Sequence, residues 1–327
     1  MGRIRRPRLI PTLAVLAGLS VVVWLCLPDQ RPDPSFQPRV EAPAYPGPQH
    51  PRVYFDAGHW NIHTAEGRYK PFAELMRNDG YEIVSHRGTL TMEKLNGYQV
   101  LVIANALGWR GTAQQLVNLL HWDRRVHVRG AAFGEAECAA VREWVRQGGA
   151  LLLIADHAPA GEAAAPLAAA LGVGMTNWWA EEPKSHDPET DNWGFLVFSR
   201  ENGQLLDHAI SRGRESKERL TKITTFTGQA LVPPPGSVSF LKLSAEAREY
   251  PWSQSPDHQF RSAANLAQGV AFECGTGRVV VLGEAAVLSA QLARGGGREF
   301  HFGMDWPGSD NRQLALNIMH WLSRALN

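Results

Sequence analysis

The sequence lacks several motifs that mark common enzyme classes. No Gly-x-Gly-x-x-Gly follows a predicted strand and no Gly-x-x-x-x-Gly-Lys-Ser/Thr occurs, so the phosphate-binding loops of nucleotide-binding proteins are missing. Neither Gly-x-Ser-x-Gly nor Gly-x-Cys-x-Gly is present, which argues against a serine or cysteine nucleophile on an elbow turn. There is no internal repeat.

Cysteine and excess charge are also scarce. The 327 residues include three cysteines, and a chain of this length buries a sizeable core without disulfides or structural metals. Cys138 and Cys274 either pair, in an oxidising compartment, or remain buried free thiols, and the sequence leaves both open. The formal net charge is +1, but four arginines precede position 9, and the remaining chain has 29 Lys and Arg against 32 Asp and Glu. No basic domain remains, which argues against nucleic-acid binding.

One long apolar run is present, at the N-terminus. Residues 9–27 are 19 residues without a charge, a length that just spans the ~30 Å hydrocarbon core of a bilayer. A cleaved signal peptide is the alternative, but the run is long for one and its end lacks the small-x-small cleavage signature. We predict that residues 1–27 form an uncleaved signal anchor, a single transmembrane helix in the inner (cytoplasmic) membrane. The arginines hold its start in the cytoplasm, so the following chain faces the periplasmic side.

The next segment is rich in proline. Residues 28–51 contain eight prolines in 24 positions, a composition that favours extended polyproline II structure over a packed core. At ~3.1 Å per residue it spans roughly 75 Å. We predict a semi-rigid linker here, a stalk between the membrane and the domain.

Strands and helices alternate from residue 52 onward. The predicted strands are 53–56, 81–85, 98–104, 150–155, 222–226, 238–243, 269–274 and 278–282, and the predicted helices are 69–78, 134–147, 163–171 and one that begins at Asp310. Fully apolar strands indicate a parallel sheet that is buried on both faces. The sequence therefore predicts an α/β fold, a mostly parallel sheet with helices on both faces, over residues 52–327, with an elaboration at about 172–265.

Local signals add three expectations. Thr276-Gly277 predicts a two-residue hairpin turn between the last two strands. Asp310 with Gln313 predicts a variant capping box at the start of the last helix. His320 lies off the apolar stripe of that helix, and we expect it to be exposed.

Polar side chains follow four of the predicted strands. They are Asp56, His59, Asn61 and His63 after the first strand, Asn105 after the third, Asp156 and His157 after the fourth, and Glu284 after the last. Ligands of open parallel α/β sheets bind outside the carboxyl ends of the strands, so we expect these side chains to meet at one rim. The predicted catalytic residues are His59, Asp156, His157 and Glu284, and the predicted ligand-binding residues are Asn61, Asn105, Trp60 and Trp109.

Histidine and carboxylate side chains support two kinds of chemistry. They bind a divalent metal such as zinc, which activates water, or they act without a metal as a general base oriented by an acid. The metal alternative uses Asp56, His59, His63 and His157 as ligands. Structural roles compete with both, because Asp156 and His157 also suit the cap of the following helix and Glu284 suits a helix start.

Four segments resemble one superfamily. They are Asp-Ala-Gly-His-Trp-Asn-Ile-His at 56–63, Gly-Gly-Ala-Leu-Leu-Leu-Ile-Ala-Asp-His at 148–157, Gly-Arg-Val-Val-Val-Leu-Gly-Glu at 277–284, and Asp-Asn-Arg-Gln-Leu-Ala-Leu-Asn-Ile-Met-His-Trp-Leu at 310–322. The chain resembles the type I glutamine-amidotransferase-like superfamily, and within it the DUF4350 group. It is more distantly similar to ThuA-like trehalose-utilisation proteins and to gliding-motility-associated transport auxiliary proteins. The resemblance covers most of residues 52–327 and implies a flavodoxin-like sheet. True amidotransferases use a cysteine nucleophile with a His-Glu pair, and since no cysteine stands in an elbow here, no glutaminase activity is expected.

Two functions fit these observations. The first is an envelope hydrolase of a small-molecule or carbohydrate-like ligand, because the loop tryptophans suit stacking on sugar rings. The second is a non-catalytic binding or auxiliary module of a transporter or envelope complex, which the predicted anchor and the missing nucleophile favour. The expected partners are this ligand, the membrane through the N-terminal helix, and an envelope protein complex, with no nucleic acid.

Overall fold

The fold is built from short strands and a few helices. The structure is a computed structural model that describes residues 29–108, 130–251, 259–295 and 298–327. The strands are β1 (Asp29–Pro32), β2 (Arg52–Asp56), β3 (Glu82–His86), β4 (Val100–Ala104), β5 (Ala150–Ile154), β6 (Gly174–Met175), β7 (Trp179–Glu181), β8 (His186–Asp187), β9 (Asn192–Ser199), β10 (Lys222–Phe226), β11 (Leu231–Val232), β12 (Val238–Lys242), β13 (Arg248–Tyr250), β14 (Arg261–Ser262), β15 (Ala267–Cys274), β16 (Gly277–Leu282), β17 (Ala290–Gly295) and β18 (Arg298–Gly303). The helices are α1 (Lys70–Asn78), α2 (Met92–Leu95), α3 (Glu135–Arg146), α4 (Ala160–Ala170), α5 (Ala209–Arg212) and α6 (Asn311–Leu322), with 3₁₀ turns at Ser216–Glu218 and Ala286–Leu288.

A nine-stranded mixed sheet forms the centre. Five neighbouring strands are parallel, in the order β3-β2-β4-β5-β16. Numbered along the chain this order is 2-1-3-4-5, the order of flavodoxin-like sheets. Beyond β16 the sheet continues with antiparallel pairs through β15, β11 and β6, and β12 also pairs with β15. The predicted α/β class is confirmed, with a parallel half and an antiparallel extension.

Both faces of the sheet are buried, as the apolar strands predict. In β4, Val100, Val102 and Ala104 belong to one hydrophobic cluster, and Leu101 and Ile103 belong to the other. Side chains alternate across a strand, so a strand covered on both faces has no polar positions. Helices α1 and α6 pack on the first face, and α2, α3 and α4 pack on the second.

The described part of the predicted linker, residues 29–51, lies on the domain, so the structure differs from the predicted stalk. Strand β1 pairs antiparallel with β17. Phe36 is buried in the core, and the Ala44 amide donates to Asp79 Oδ1 at 2.7 Å. Tyr45 donates its hydroxyl hydrogen to the Ser323 carbonyl at 3.0 Å. Proline excludes a chain from the interior of a sheet but is tolerated in an edge strand, which is the position of β1.

The predicted elaboration, residues 172–265, extends the main sheet and adds two small ones. Strands β6, β11 and β12 join the antiparallel half of the main sheet. Strands β8, β9 and β10 form one three-stranded sheet, and β7, β13 and β14 form another. The limits of the predicted domains themselves stay a prediction.

The local expectations had mixed outcomes. Strands β15 and β16 pair as an antiparallel hairpin, but Cys274 opposes Gly277, so the turn residues are Gly275 and Thr276. The Asp310 side chain makes no capping hydrogen bond, because its Oδ2 accepts from Thr221 and Lys222 at the start of β10.

His320 is fully buried, so its predicted exposure is wrong; a carboxylate inside the fold supplies its partner. Cys138 and Cys274 are both free. Among the described ranges, no helix has the length and apolar character needed to cross a membrane, and the predicted anchor lies outside those ranges.

Candidate functional site

The predicted rim residues form two groups instead of one. The first group, which we call the His59 cluster, consists of Asp56, His59, Asn61 and Glu137. The second surrounds a cleft of about 450 Å³ above the ends of β4, β5 and β16, and we call it the aromatic cleft. Of the predicted residues it contains His63, Asn105, Asp156, His157 and Glu284. Trp109 lies outside the described residues.

His59 is held between two carboxylates. Its Nδ1 lies 2.8 Å from Asp56 Oδ2 and its Nε2 lies 3.0 Å from Glu137 Oε1. Burial alone lowers the pKa of His59, but hydrogen bonds and charge from the two carboxylates outweigh burial and raise that pKa. Both ring nitrogens then donate, and neither is free to take a proton or bind a metal. The predicted catalytic role of His59 therefore has no geometric support.

Glu137, at the start of α3, was missed by the sequence reasoning. Its carboxylate accepts from the Leu90 amide at 2.9 Å and from the Gly134 amide at 3.1 Å, besides His59. Burial acts to raise the pKa of Glu137, but these donors prevail and lower it. A glutamate three residues after the glycine at a helix start can accept the amide of that glycine, and this signal was present in the sequence. Only this half of a capping box forms, because Gly134 has no side chain.

Asn61 and Trp60 do not reach the aromatic cleft. The Asn61 amide donates to Asp56 Oδ2 at 2.7 Å and its oxygen accepts from the Ala104 amide at 3.1 Å, so both ends tie the loop after β2 to β4. Trp60 is 52% exposed with φ at 52°, and it lines a separate outer pocket together with His59 and Arg87. Neither residue lines the cleft that contains Asn105, the third predicted ligand-binding residue among those described.

Aromatic side chains and a polar floor define the cleft. The aromatic lining consists of Trp179, Phe195, Phe226, Phe300 and Phe302, and the polar lining includes Gln30, His63, Arg68, Asn105, Asp156, His157, Thr227, Glu284 and Gln291. Within the polar lining, Asn105, Asp156 and Glu284 directly follow β4, β5 and β16 of the parallel sheet, and His157 follows Asp156. The aromatic walls come from the elaboration and from the β17–β18 hairpin, elements whose position the sequence did not predict.

Asn105 shapes the floor by holding Asp156. Its φ is 55°, in the left-handed region that Asn tolerates better than most residues. This turn directs its Oδ1 to the Asp156 amide, at 2.8 Å. The Asp156 carboxylate in turn accepts from the His157 amide at 2.9 Å. Asn105 is therefore a positioning residue for the chain that bears Asp156 and His157.

His157 presents one ring nitrogen to the cleft. Its Nδ1 donates to the Ala158 carbonyl at 3.0 Å, which leaves Nε2 as the unprotonated nitrogen of the neutral ring. Nε2 lies 3.7 Å from Asp156 Oδ1. The ring stacks on Trp179, with 4.0 Å between ring centroids and 26° between planes. A histidine oriented in this way by a carbonyl and an indole is suited to act as a base.

Glu284 lies fully buried at the end of β16. Its two oxygens accept from the Ala286 amide at 2.5 Å and the Val287 amide at 2.8 Å, the first turn of a 3₁₀ segment. Burial, reinforced by the negative charge of Asp156, raises the pKa of Glu284 well above its usual range. Backbone hydrogen bonds, those from Ala286 and Val287 among them, oppose this rise without cancelling it. Glu284 therefore keeps its proton to a higher pH than an exposed glutamate does.

His63 is buried beneath the cleft and lacks a partner at Nδ1. Its ring meets the Tyr69 ring edge to face, with centroids 4.8 Å apart. Burial, with the positive charge of Arg68, lowers the pKa of His63 to about 3. The ring is therefore neutral across the physiological range.

The predicted metal set is not assembled. His59 is bonded to carboxylates through both nitrogens, and it lines a different pocket from His63 and His157. Asp56, His59 and Glu137 do meet, but both ring nitrogens of His59 already donate to the two carboxylates. In residues 29–108, 130–251, 259–295 and 298–327, no group of three or more histidine, cysteine or acidic side chains is arranged to hold a metal ion. The residues present therefore do not fit the zinc alternative.

A tight turn after β10 completes the wall. Thr227 lines the cleft with φ at 71°, an unusual conformation for a β-branched residue. A Cβ on the next residue, Gly228, would lie 2.5 Å from the Gly283 carbonyl oxygen and 2.7 Å from Glu284 Cβ. Only glycine allows the β10–β11 loop to approach Glu284 this closely.

Comparison with known proteins identifies the fold without a family. No family model and no curated protein matches the chain, so the resemblance to the DUF4350 group stays a prediction. Among solved structures, the N-terminal domain of mmIFT52 is 15% identical, with 83% of this chain and 97% of that one covered and a TM-score of 0.56.

Two further structures are more distant. Cytoplasmic protein STM1381 from Salmonella typhimurium is 14% identical over 84% of this chain and 97% of that one, at a TM-score of 0.43. A ThuA-like protein from Bacteroides uniformis is 12% identical over 87% and 93%, also at 0.43. At these scores neither bears on function. The chain shares its α/β fold with the mmIFT52 domain, and this similarity is one of fold alone.

Proposed function

We propose that the protein is a metal-independent hydrolase of a small carbohydrate-like molecule, with its active site in the aromatic cleft. The observation that carries the proposal is that two groups line one cleft: Glu284, a buried carboxyl group whose pKa is raised, and His157, whose ring is oriented by the Ala158 carbonyl. A carboxyl group with a raised pKa is suited to donate a proton, and an oriented imidazole nitrogen is suited to accept one.

The chemistry assigns one step to each side chain. His157 Nε2 removes a proton from water, and the resulting oxygen attacks the electrophilic carbon. Asp156 Oδ1, 3.7 Å away, stabilises the imidazolium that forms. Glu284 gives its proton to the leaving oxygen. The proton taken up by His157 is then transferred to the Glu284 carboxylate, which restores both side chains to their starting states. General acid–base catalysis of this kind contributes about 10²–10⁴-fold.

The substrate class follows from the walls. Aromatic rings stack on the apolar faces of flat or ring-shaped ligands, and sugars combine such faces with hydroxyl groups. Phe300 lines the cleft and offers an exposed ring to such a ligand, while Asn105 and Gln291 line the same cleft with amides. A cleft of about 450 Å³ falls within the range of small-molecule sites.

A non-catalytic binding module is the second candidate. It is favoured by the backbone amides that occupy both oxygens of Glu284, because a carboxyl used to hold a turn needs no role as an acid. In this case the cleft binds the same class of ligand, as part of an auxiliary or envelope complex, without turnover.

The test compares turnover with binding in the full chain. Aryl glycosides and aryl esters report hydrolysis, and calorimetry with the parent sugars reports binding. His157→Gln should abolish hydrolysis and keep most binding. His186→Gln is the matched control, because His186 also lies near a tryptophan, Trp193, but outside the cleft. Binding that is lost in His157→Gln without any turnover in the parent protein supports the binding module, and activity unchanged in His157→Gln contradicts the hydrolase.

A further inference from the structure

Strand β1 brings the start of the described chain to one specific place. It pairs antiparallel with β17, and Asp29 lies opposite Arg294, beside the tip of the β17–β18 hairpin. The predicted anchor ends at residue 27. Two residues of extended chain reach ~7 Å at most, so the anchor would have to leave the domain next to this tip.

The attachment of this strand is firm. Asp33, immediately after β1, accepts from the Ser35 hydroxyl at 2.6 Å and pairs with His301 on β18. Phe36 is buried, and the Arg312 guanidinium lies 4.7 Å from the centre of its ring. Residues 29–36 are therefore fixed to the domain by strand pairing, side-chain contacts and burial.

The same three strands build one wall of the aromatic cleft. Gln30 from β1, Gln291 from β17, and Phe300 and Phe302 from β18 all line it. An anchor that leaves at the hairpin tip therefore places this wall nearest the membrane. The opposite end of the sheet, with Thr276 in the β15–β16 turn, then lies farthest away.

The polarity of the cleft matches this orientation. Phe300 on the hairpin is 43% exposed and Ile62 is 37% exposed, and both line the cleft. The acidic and histidine side chains lie deeper, at the ends of β5 and β16. The cleft thus has an apolar lip and a polar floor, a pattern that suits an amphiphile better than a freely soluble sugar.

We propose that the cleft opens at the membrane surface and takes the polar head of a membrane-borne glycolipid-like amphiphile, whose chain lies along the Phe300 lip. This proposal rests on the predicted anchor and deepens the proposed function by naming the source of its substrate. The carbohydrate head enters the floor occupied by His157 and Glu284. The apolar chain never leaves the bilayer completely, so only the head has to be desolvated.

Photo-crosslinking of the full chain in vesicles of phosphatidylcholine, phosphatidylglycerol and a long-chain alkyl glucoside tests the proposal. A benzophenone side chain replaces Phe300, and the matched control places it at Val232, an exposed apolar position on β11 that does not line the cleft. We expect several-fold more lipid adducts at position 300 than at 232. A flexible Gly-Ser insertion after Leu27 should reduce this difference, because it uncouples the domain from the bilayer.

Equal labelling at the two positions, absence of adducts at 300, or failure of the chain to float with the vesicles would each overturn the proposal. His157→Gln is not expected to change the labelling. Crosslinking at 300 without any turnover therefore counts against the hydrolase alone, and turnover of soluble glycosides without crosslinking counts against the membrane orientation alone.

Discussion

His320 Nε2 lies 2.7 Å from Asp79 Oδ2, and both side chains are fully buried. The pair joins α6 to the end of α1, and Asp79 Oδ1 also accepts the Ala44 amide. One carboxylate thus connects three distant parts of the chain. The pair is a structural element on the side of α6 that the apolar pattern assigns to solvent.

Replacing His320 should therefore lower the free energy of unfolding. His320→Ala leaves Asp79 buried without its partner, a change that typically costs about 3–5 kcal/mol. His50→Ala is the control, because His50 is exposed and makes one hydrogen bond, to the Gly80 carbonyl, with an expected cost of at most about 1 kcal/mol. Urea denaturation measures both, and equal midpoints would contradict a stabilising role for the buried pair.

His59 should stabilise the protein most at acidic pH. Its pKa is raised in the folded state, so the folded chain binds its proton more tightly than the unfolded chain does. The stabilisation is complete below the unfolded value of about 6.5 and is lost as pH rises through the folded pKa. The difference in unfolding free energy between the parent protein and His59→Gln should shrink as pH rises, and a constant difference would count against the two-carboxylate clamp.

His63 should have the opposite pH dependence. Its folded pKa is about 3, so between pH 3 and about 6.5 the unfolded chain binds a proton that the folded chain refuses. Stability of the parent protein then falls as pH decreases through this window. His63→Leu removes that loss, so the stability of the variant relative to the parent protein should be greater at pH 5 than at pH 8. An equal difference in unfolding free energy at both pH values would show that His63 is not buried as a neutral ring.

Glu284→Gln tests whether the pKa of Glu284 is raised in the folded protein. The folded pKa is raised, so above the unfolded value of about 4.3 the folded chain keeps a proton that the unfolded chain releases, and stability falls with rising pH. The uncharged amide has no such loss, so the variant should gain stability relative to the parent as pH rises. Glu273→Gln is the exposed control and should run parallel to the parent. Turnover should be lost in Glu284→Gln and retained in Glu273→Gln.

Substitutions at two glycines separate the cost of a backbone conformation from the cost of a steric clash next to Glu284. Gly228 and Gly203 both have φ at +73°, but a Cβ at 203 meets nothing within 4 Å. Gly203→Ala should cost about 1–2 kcal/mol from the left-handed backbone alone. Gly228→Ala adds a clash with the Gly283 carbonyl and Glu284, and overpacking costs about 1–3 kcal/mol more. Equal losses in thermal or urea unfolding would mean that the loop moves away freely.

The sequence predicts the parallel half of the fold well, because β2, β4, β5 and β16 are apolar on both faces and therefore leave an unbroken hydrophobic run. It fails for the hairpin β17–β18, where polar and apolar residues alternate irregularly and no strand is predicted. It also fails for β1, because proline content argues against a strand and only the free edge of β17 makes one possible.

The site shows the same division. Asp156, His157 and Glu284 meet because parallel strands end at one edge, which is a consequence of topology that the sequence pattern contains. The separation of His59 from them depends on Glu137, which lies 78 positions away along the chain, and no local sequence pattern predicts a partner at that distance. Likewise, the aromatic walls depend on how the elaboration folds back over the sheet.

The pairing of β1 with β17 also has a consequence for handling the protein. A chain that begins at Arg52 would leave β17 as a free edge, with its backbone amides and carbonyls unpaired along one side. Such edges pair readily with other chains, and this one would carry the exposed Phe300 on its neighbouring strand. Shortened forms should therefore self-associate through this hairpin. Strand β1, which lies in the proline-rich segment, covers the edge of β17 and so prevents this association.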